Sequence, residues 1–97
     1  MEAFALNTSK LVEICRANDA EMVALFGSMA RGEGSPDSDV DLLVRFGRRK
    51  SLLALVRLER ELTSALGRKV DLLTEAAISP FIRKRVMDDL KVLYEAR

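Results

Sequence analysis

Three aspartates and one glycine–serine pair are the residues whose types and spacing could do chemistry in this chain. Gly27-Ser28 ends an apolar run, Val23 to Phe26. After a gap of about ten residues, Asp39-Val40-Asp41 heads a second apolar run, Leu42-Leu43-Val44. A glycine lets the backbone bend sharply and approach a ligand closely. The residues after it open a helix, whose unpaired N–H groups and dipole favour an anion. Ser28 adds a hydroxyl donor and Arg31 a permanent charge one turn later. Such a turn can hold phosphate. The competing reading is that Gly27 only turns the chain and Ser28 only caps the short helix. Neither the Gly-Lys-Ser/Thr ending of a Walker A loop nor the G-x-G-x-x-G spacing of a dinucleotide fingerprint is present.

Asp39 and Asp41 form the stronger pair. In a strand, residues i and i+2 project from one face, ~6.5–7 Å apart. Two carboxylates so placed repel each other unless a cation sits between them. Val40, Leu42 and Val44 then point to the opposite face and into the core, and Leu43 extends the carboxylate face. If Asp37, Ser38 and Asp39 instead make a polar turn, only Asp41 belongs to the strand. The depletion of Asp in strands favours a ligand role for the pair. Asp71, within Lys69-Val70-Asp71-Leu72-Leu73, is a further carboxylate in an apolar strand. If that strand pairs with the one carrying Asp41, the three carboxylates could converge. A salt bridge to Lys69, Arg68 or a neighbouring arginine explains Asp71 equally well.

The elements that must position these residues follow from periodicity. Leu6 to about Asn18 reads as a helix with Asn7, Thr8 or Ser9 as its N-cap. Glu21 to Phe26 is a buried strand, and Ser28 to Gly32 is a short helix stopped by Gly32 and Gly34. Asp39 to Phe46 is a strand, followed by a basic turn from Gly47 to Lys50. Over Ser51 to Leu66, the residues Leu52, Leu55, Val56, Glu59, Leu62 and Leu66 share one helical face on which only Glu59 is polar. Ser51 is its N-cap and Gly67 its stop. Lys69 to Thr74 is a third strand, Pro80 to Leu90 a helix, and Val92-Leu93-Tyr94 a last edge strand. The order implies a small mixed sheet flanked by helices, an α/β (α+β) architecture in one domain spanning residues 1–97.

The segments Gly27-Ser28-Met29-Ala30-Arg31-Gly32-Glu33 and Ser38-Asp39-Val40-Asp41-Leu42-Leu43-Val44, with Val70-Asp71-Leu72-Leu73 and Leu93-Tyr94-Glu95, resemble the minimal nucleotidyltransferases of the DNA polymerase beta superfamily. The resemblance covers nearly the whole chain and implies a polymerase-beta-like nucleotidyltransferase core. It implies that Asp39, Asp41 and Asp71 are catalytic and hold two divalent metals, Mg²⁺ or alternatively Mn²⁺. It places Gly27 and Ser28 on the β- and γ-phosphates of ATP, with Arg31 as a further nucleotide contact. Minimal members are antitoxins beside a HEPN-domain toxin, so the resemblance implies AMP transfer to a tyrosine hydroxyl of that toxin, which silences it. Larger relatives carry added domains for the acceptor, and here a protein partner would have to bring it. The alternatives are an antitoxin that occludes its toxin without catalysis, and a nucleotide-sensing subunit.

Composition agrees with this. The chain has 97 residues, 48% hydrophobic and 32% charged, as expected of a folded globular protein. Its net charge of +1 gives no global field for DNA or RNA, so direct nucleic-acid binding is not expected. A single cysteine, Cys15, excludes an internal disulfide and a cysteine-rich zinc site, and reads as a small core residue. With no histidine, metal ligands must be carboxylates, which favours Mg²⁺ or Mn²⁺. No run approaches the ~20 apolar residues of a membrane span, and the start lacks signal-peptide features, so a cytoplasmic protein is expected. Arg45, Arg48, Arg49 and Lys50 form a basic cluster that reads first as a solvated turn. Contact with the triphosphate, an acidic partner or RNA are its other readings. The helix from Pro80 has a mixed-charge face, with Lys84–Asp88 and Arg85–Asp89 as i,i+4 pairs.

Overall fold

The structure, a computed structural model, describes residues 6–33 and 38–96. The expected stop at Gly34 and most of the Gly34–Ser38 loop lie outside the described residues. In chain order the elements are α1 (Thr8–Ala17), β1 (Ala20–Phe26), α2 (Gly27–Ala30), β2 (Val40–Phe46), α3 (Leu52–Leu66), β3 (Val70–Thr74), a 3-10 turn (Glu75–Ala77), α4 (Pro80–Asp89) and β4 (Lys91–Glu95). Only the 3-10 turn has no counterpart in the expected order. Asn7 caps α1 by accepting from the Lys10 N–H, and Ser51 caps α3 by accepting from the Ala54 N–H. Gly67 ends α3 in the left-handed region that glycine adopts without a Cβ penalty.

The strands form one mixed sheet in the order β3-β2-β1-β4. β1 runs antiparallel to both β2 and β4, whereas β2 and β3 are parallel. A parallel pair needs a crossover, and α3 provides it. The period of two divides β2 between two apolar cores. Val40, Leu42 and Val44 join Leu11, Cys15, Val23, Leu25, Leu58, Leu62 and Val70 in the larger core, on the side of α1 and α3. Leu43 faces the other way and joins Met22, Ala24, Ile78 and Val86 under α4. Leu43 therefore extends the carboxylate face as expected, and Cys15 is a core residue. Burial lifts the Cys15 thiol to about 12, so it stays protonated.

The buried stripe of α3 differs from the one read in the sequence. Leu58 and Leu62 are buried, whereas Leu52 is 77% and Val56 36% exposed. The inward stripe is Leu55, Leu58, Glu59, Leu62 and Leu66, at spacings of three and four residues. Leu52 is the first residue of α3, ahead of the turns that pack on the sheet, and Val56 lies about 100° around the helix from Leu55, off the inward face. In urea unfolding, Leu62→Ala should lower stability by about 2–5 kcal/mol, while Leu52→Ala should change it by less than about 0.5 kcal/mol. Equal losses at the two positions would mean that the stripe has been misplaced.

Candidate active site

The site is assembled by three strand ends and one turn. Asp41 pairs with Phe26, the last residue of β1, and across the parallel ladder with Asp71 of β3. Neighbouring strands lie ≈ 4.8 Å apart, so the two carboxylates start from adjacent backbone positions. Asp39 sits just before β2, one residue short of the strand expected to begin with it, and two residues from Asp41. The Arg68 guanidinium Nη2 donates to the Ser38 carbonyl at 3.0 Å, and the Val40 N–H donates to the Lys69 carbonyl at 2.9 Å. These two bonds fix the approach of the chain to Asp39.

Asp41 is half-buried. Burial, then the charge of Asp71, then that of Asp39, hold its carboxyl above the usual carboxylate range. Three carboxylates sharing one end of a sheet are a site that favours cations. In this conformation the described residues do not close into a shell of three acidic ligands. Asp39 and Asp71 each lie 3.9 Å from the Lys69 ammonium, which screens them. The salt bridge weighed for Asp71 is thus present alongside its pairing with Asp41. The donor set is all-oxygen and anionic, which fits a hard divalent cation.

Gly27 is fixed beside this cluster. Its φ is +74°, and a Cβ placed on it would lie 2.6 Å from Asp41 Oδ2. Only glycine satisfies both conditions. α2 starts at Gly27 and is a single turn, so its own N–H groups have no acceptor within the helix. Ser28 is half-buried in that turn, and its carbonyl accepts from the Glu33 N–H at 2.9 Å. Arg31 is already engaged. Its Nη1 lies 2.7 Å from Asp89 Oδ2 and its Nε 2.9 Å from Glu33 Oε1. The partner expected for Asp89, Arg85, is therefore replaced by Arg31, and α4 is tied to the turn that follows β1. Lys84 does pair with Asp88, at 2.9 Å.

Two contributors were not singled out from the sequence as part of the site. β3 is an edge strand, so alternate N–H groups point away from the sheet. The Leu72 N–H donates to Glu59 Oε2 at 2.8 Å, and the Val70 N–H donates to Thr63 Oγ1 at 3.1 Å. These bonds flank Asp71 on both sides and fix the strand that carries it. The one signal was Glu59 itself, the polar exception on an apolar helical face.

The Nucleotidyltransferase domain family matches residues 8–93. A Methanocaldococcus jannaschii protein provisionally named a protein adenylyltransferase is 42% identical over 80 residues, covering 82% of this chain and 86% of its own. The protein adenylyltransferase MntA of Thermococcus cleftensis is 41% identical over 68 residues, covering 70% and 69%. Among solved structures, a toxin–antitoxin with AMP-PNP superposes with a TM-score of 0.85 at 29% identity, covering 95% of this chain and 76% of that one. A tri-AMPylated Shewanella oneidensis HEPN toxin in complex with MNT antitoxin gives 0.75 at 26%, covering 93% and 71%. The chain belongs to the nucleotidyltransferase domain family. It is an enzyme of that class, homologous to the protein adenylyltransferases.

Two outcomes test the geometry. Gly27→Ala places a Cβ against Asp41 in a left-handed conformation that costs about 1–2 kcal/mol, so both melting temperature and nucleotidyl transfer should fall; a fully active, equally stable variant would refute the close contact. Asp41 has a raised folded-state value, so its stability contribution is present below the unfolded pKa and is lost as pH rises through the folded one. At neutral pH and without metal, Asp41→Asn should therefore melt no lower than the wild type in a thermal-shift assay. A drop would show that the Asp41 charge is compensated in the fold.

Proposed function

We propose that this chain transfers AMP from ATP to a tyrosine hydroxyl of a HEPN-domain toxin and so acts as its antitoxin. The observation that carries this reading is the parallel register of Asp41 with Asp71, with Asp39 two residues before Asp41 and Gly27 packed against the same carboxylate. The relatives named as protein adenylyltransferases and the AMPylated toxin in one structural neighbour support the acceptor class.

Asp39, Asp41 and Asp71 would hold the divalent cations, two Mg²⁺ ions by preference, with Mn²⁺ as a substitute. Bound there, the ions would neutralise the departing pyrophosphate and favour ionisation of the attacking hydroxyl. The N–H groups of the Gly27-Ser28 turn and the Ser28 hydroxyl would hold the β- and γ-phosphates. The tyrosine oxygen attacks the α-phosphorus, the bond from that phosphorus to the pyrophosphate oxygen breaks, and the tyrosine proton passes to Asp71. Asp71 suits that role because it sits on the edge strand and is about half exposed, where an incoming protein can reach it. Arg31 would reach the triphosphate by exchanging its bond to Glu33 for one to a phosphate oxygen, while its bond to Asp89 steadies the turn.

The test uses α-labelled ATP, Mg²⁺ and the product of the gene beside this one. Label should appear on that partner and fall by about a hundredfold or more in Asp39→Ala/Asp41→Ala, with the fold of the double variant intact. A double variant that still protects cells from the toxin would establish occlusion and remove catalysis from the mechanism. Stabilisation by ATP and Mg²⁺ without transfer to any acceptor would mark a nucleotide sensor instead.

A further inference from the structure

The end of the domain away from the carboxylates carries an open groove of about 740 Å³ between the turn after β2, the start of α3 and the 3-10 turn before α4. Arg45, Arg48, Arg49, Lys50 and Arg83 line it, against one acidic residue, Glu75. Some of that charge is compensated. Glu95 lies 3.6 Å from Arg45, and Asp19 is shared by Arg48 and Lys50. Arg49, on the turn after β2, and Arg83, on α4, have no ion-pair partner among the described residues. Ser51 and Ser79 cap α3 and α4 here, so the positive ends of both helix dipoles add to the field.

Apolar side chains adjoin this basic surface. Leu52 and Leu53, which directly follow Lys50-Ser51, are 77% and 61% exposed. Ile82, the residue before Arg83 on α4, is 43% exposed. Large apolar residues left in water beside unpaired arginines are the composition of a protein interface, with anchors and charges for register.

The triphosphate is the wrong occupant. Along β2, Arg45 is four residues from Asp41, about 13 Å at the rise of a strand, and the other groove residues of that turn lie beyond it. Nucleic acid fits poorly too. The chain has a net charge of only +1, and the aromatic ring in the groove, Phe46, is covered by the Lys50 ammonium at 5.9 Å.

We propose that this surface docks an acidic segment of a protein partner, one that presents Asp or Glu side chains to Arg49 and Arg83 and apolar side chains to Leu52 and Leu53. The proposal rests on the reading above in one respect, that the acceptor is a protein. It assigns recognition to one end of the sheet and chemistry to the other.

The experiment is calorimetric titration of this chain with the product of the neighbouring gene at low and raised salt. It compares the wild type with Arg49→Glu/Arg83→Glu and with Leu52→Ser/Leu53→Ser, each first shown to keep the wild-type melting temperature. Both double variants should weaken the complex about tenfold or more, and the charge variant should lose most of the salt dependence. In the transfer assay they should raise the KM for the acceptor and leave the KM for ATP unchanged. Wild-type Kd and acceptor KM in both variants, or no complex with the wild type, would overturn the proposal. So would a single-stranded RNA of about 20 nucleotides that binds the wild type and not the charge variant. A variant-sensitive complex without AMP transfer would leave the surface standing and sink the catalytic reading, and unimpaired transfer by both variants would do the reverse.

Discussion

The parallel pairing of β2 with β3 is the constraint on which the site depends. It alone brings Asp71 beside Asp41, since the two residues are separated by the whole of α3 in the chain. Parallel neighbours cannot be joined by a tight turn, so α3 must cross over the sheet. That crossover does more than connect. Leu58 and Leu62 bury it against the larger core, and from the same helix Glu59 and Thr63 reach the outward N–H groups of β3. An edge strand otherwise open to fraying is thereby held at both residues flanking Asp71.

The uneven division of the core leaves the carboxylates accessible. The α1 and α3 side gathers most of the fully buried side chains, while the face under α4 holds a smaller cluster around Leu43 and Ala24. Covering the carboxylate end with apolar residues would have stranded ionised groups in a low-dielectric interior. The sheet instead packs more heavily on one side than on the other, and the carboxylate end of the lighter side stays within reach of solvent. α4 is kept in place by Val86 and Ile78 in the smaller cluster and by the ion pair from Arg31 to Asp89. The second contact links the covering helix to the residues just after the glycine–serine turn.

Local pattern made much of this legible. The alternation Val40, Leu42, Val44 specifies which way each side chain of β2 faces, Asp41 included, because strand periodicity is rigid, whereas Asp39 lies just before the strand. Gly27 was conspicuous as a break after an apolar run, and its contact with Asp41 gives the break its reason. What pattern could not give was long-range. Asp89 has Arg85 one turn away, yet its partner is Arg31, 58 residues distant, because α4 folds back over α2. Leu52 and Val56 fall outside the buried stripe of α3 because one stands at the helix start and the other at the edge of the apolar arc, which periodicity alone does not resolve. The roles of Glu59 and Thr63 are likewise invisible until the edge strand they bond to is known.

Lys69 explains how so small a fold tolerates a cluster of like charges. It precedes Asp71 by two residues and so shares its face, and its ammonium lies 3.9 Å from both Asp39 and Asp71. Contacts of that length on a side chain 69% exposed are loose, and exposed ion pairs contribute at most about 1 kcal/mol. Screening by Lys69 therefore limits repulsion without locking the carboxylates together. Asp41, which has no such partner among the described residues and is more deeply set, has its carboxyl raised by burial and by the charges of Asp71 and Asp39. A ligand cation that approached Asp41 would meet the group with most to gain from it, and would displace only a weakly held ammonium from its neighbours. The same arrangement thus moderates the repulsion among the carboxylates and leaves the acidic face exposed to solvent.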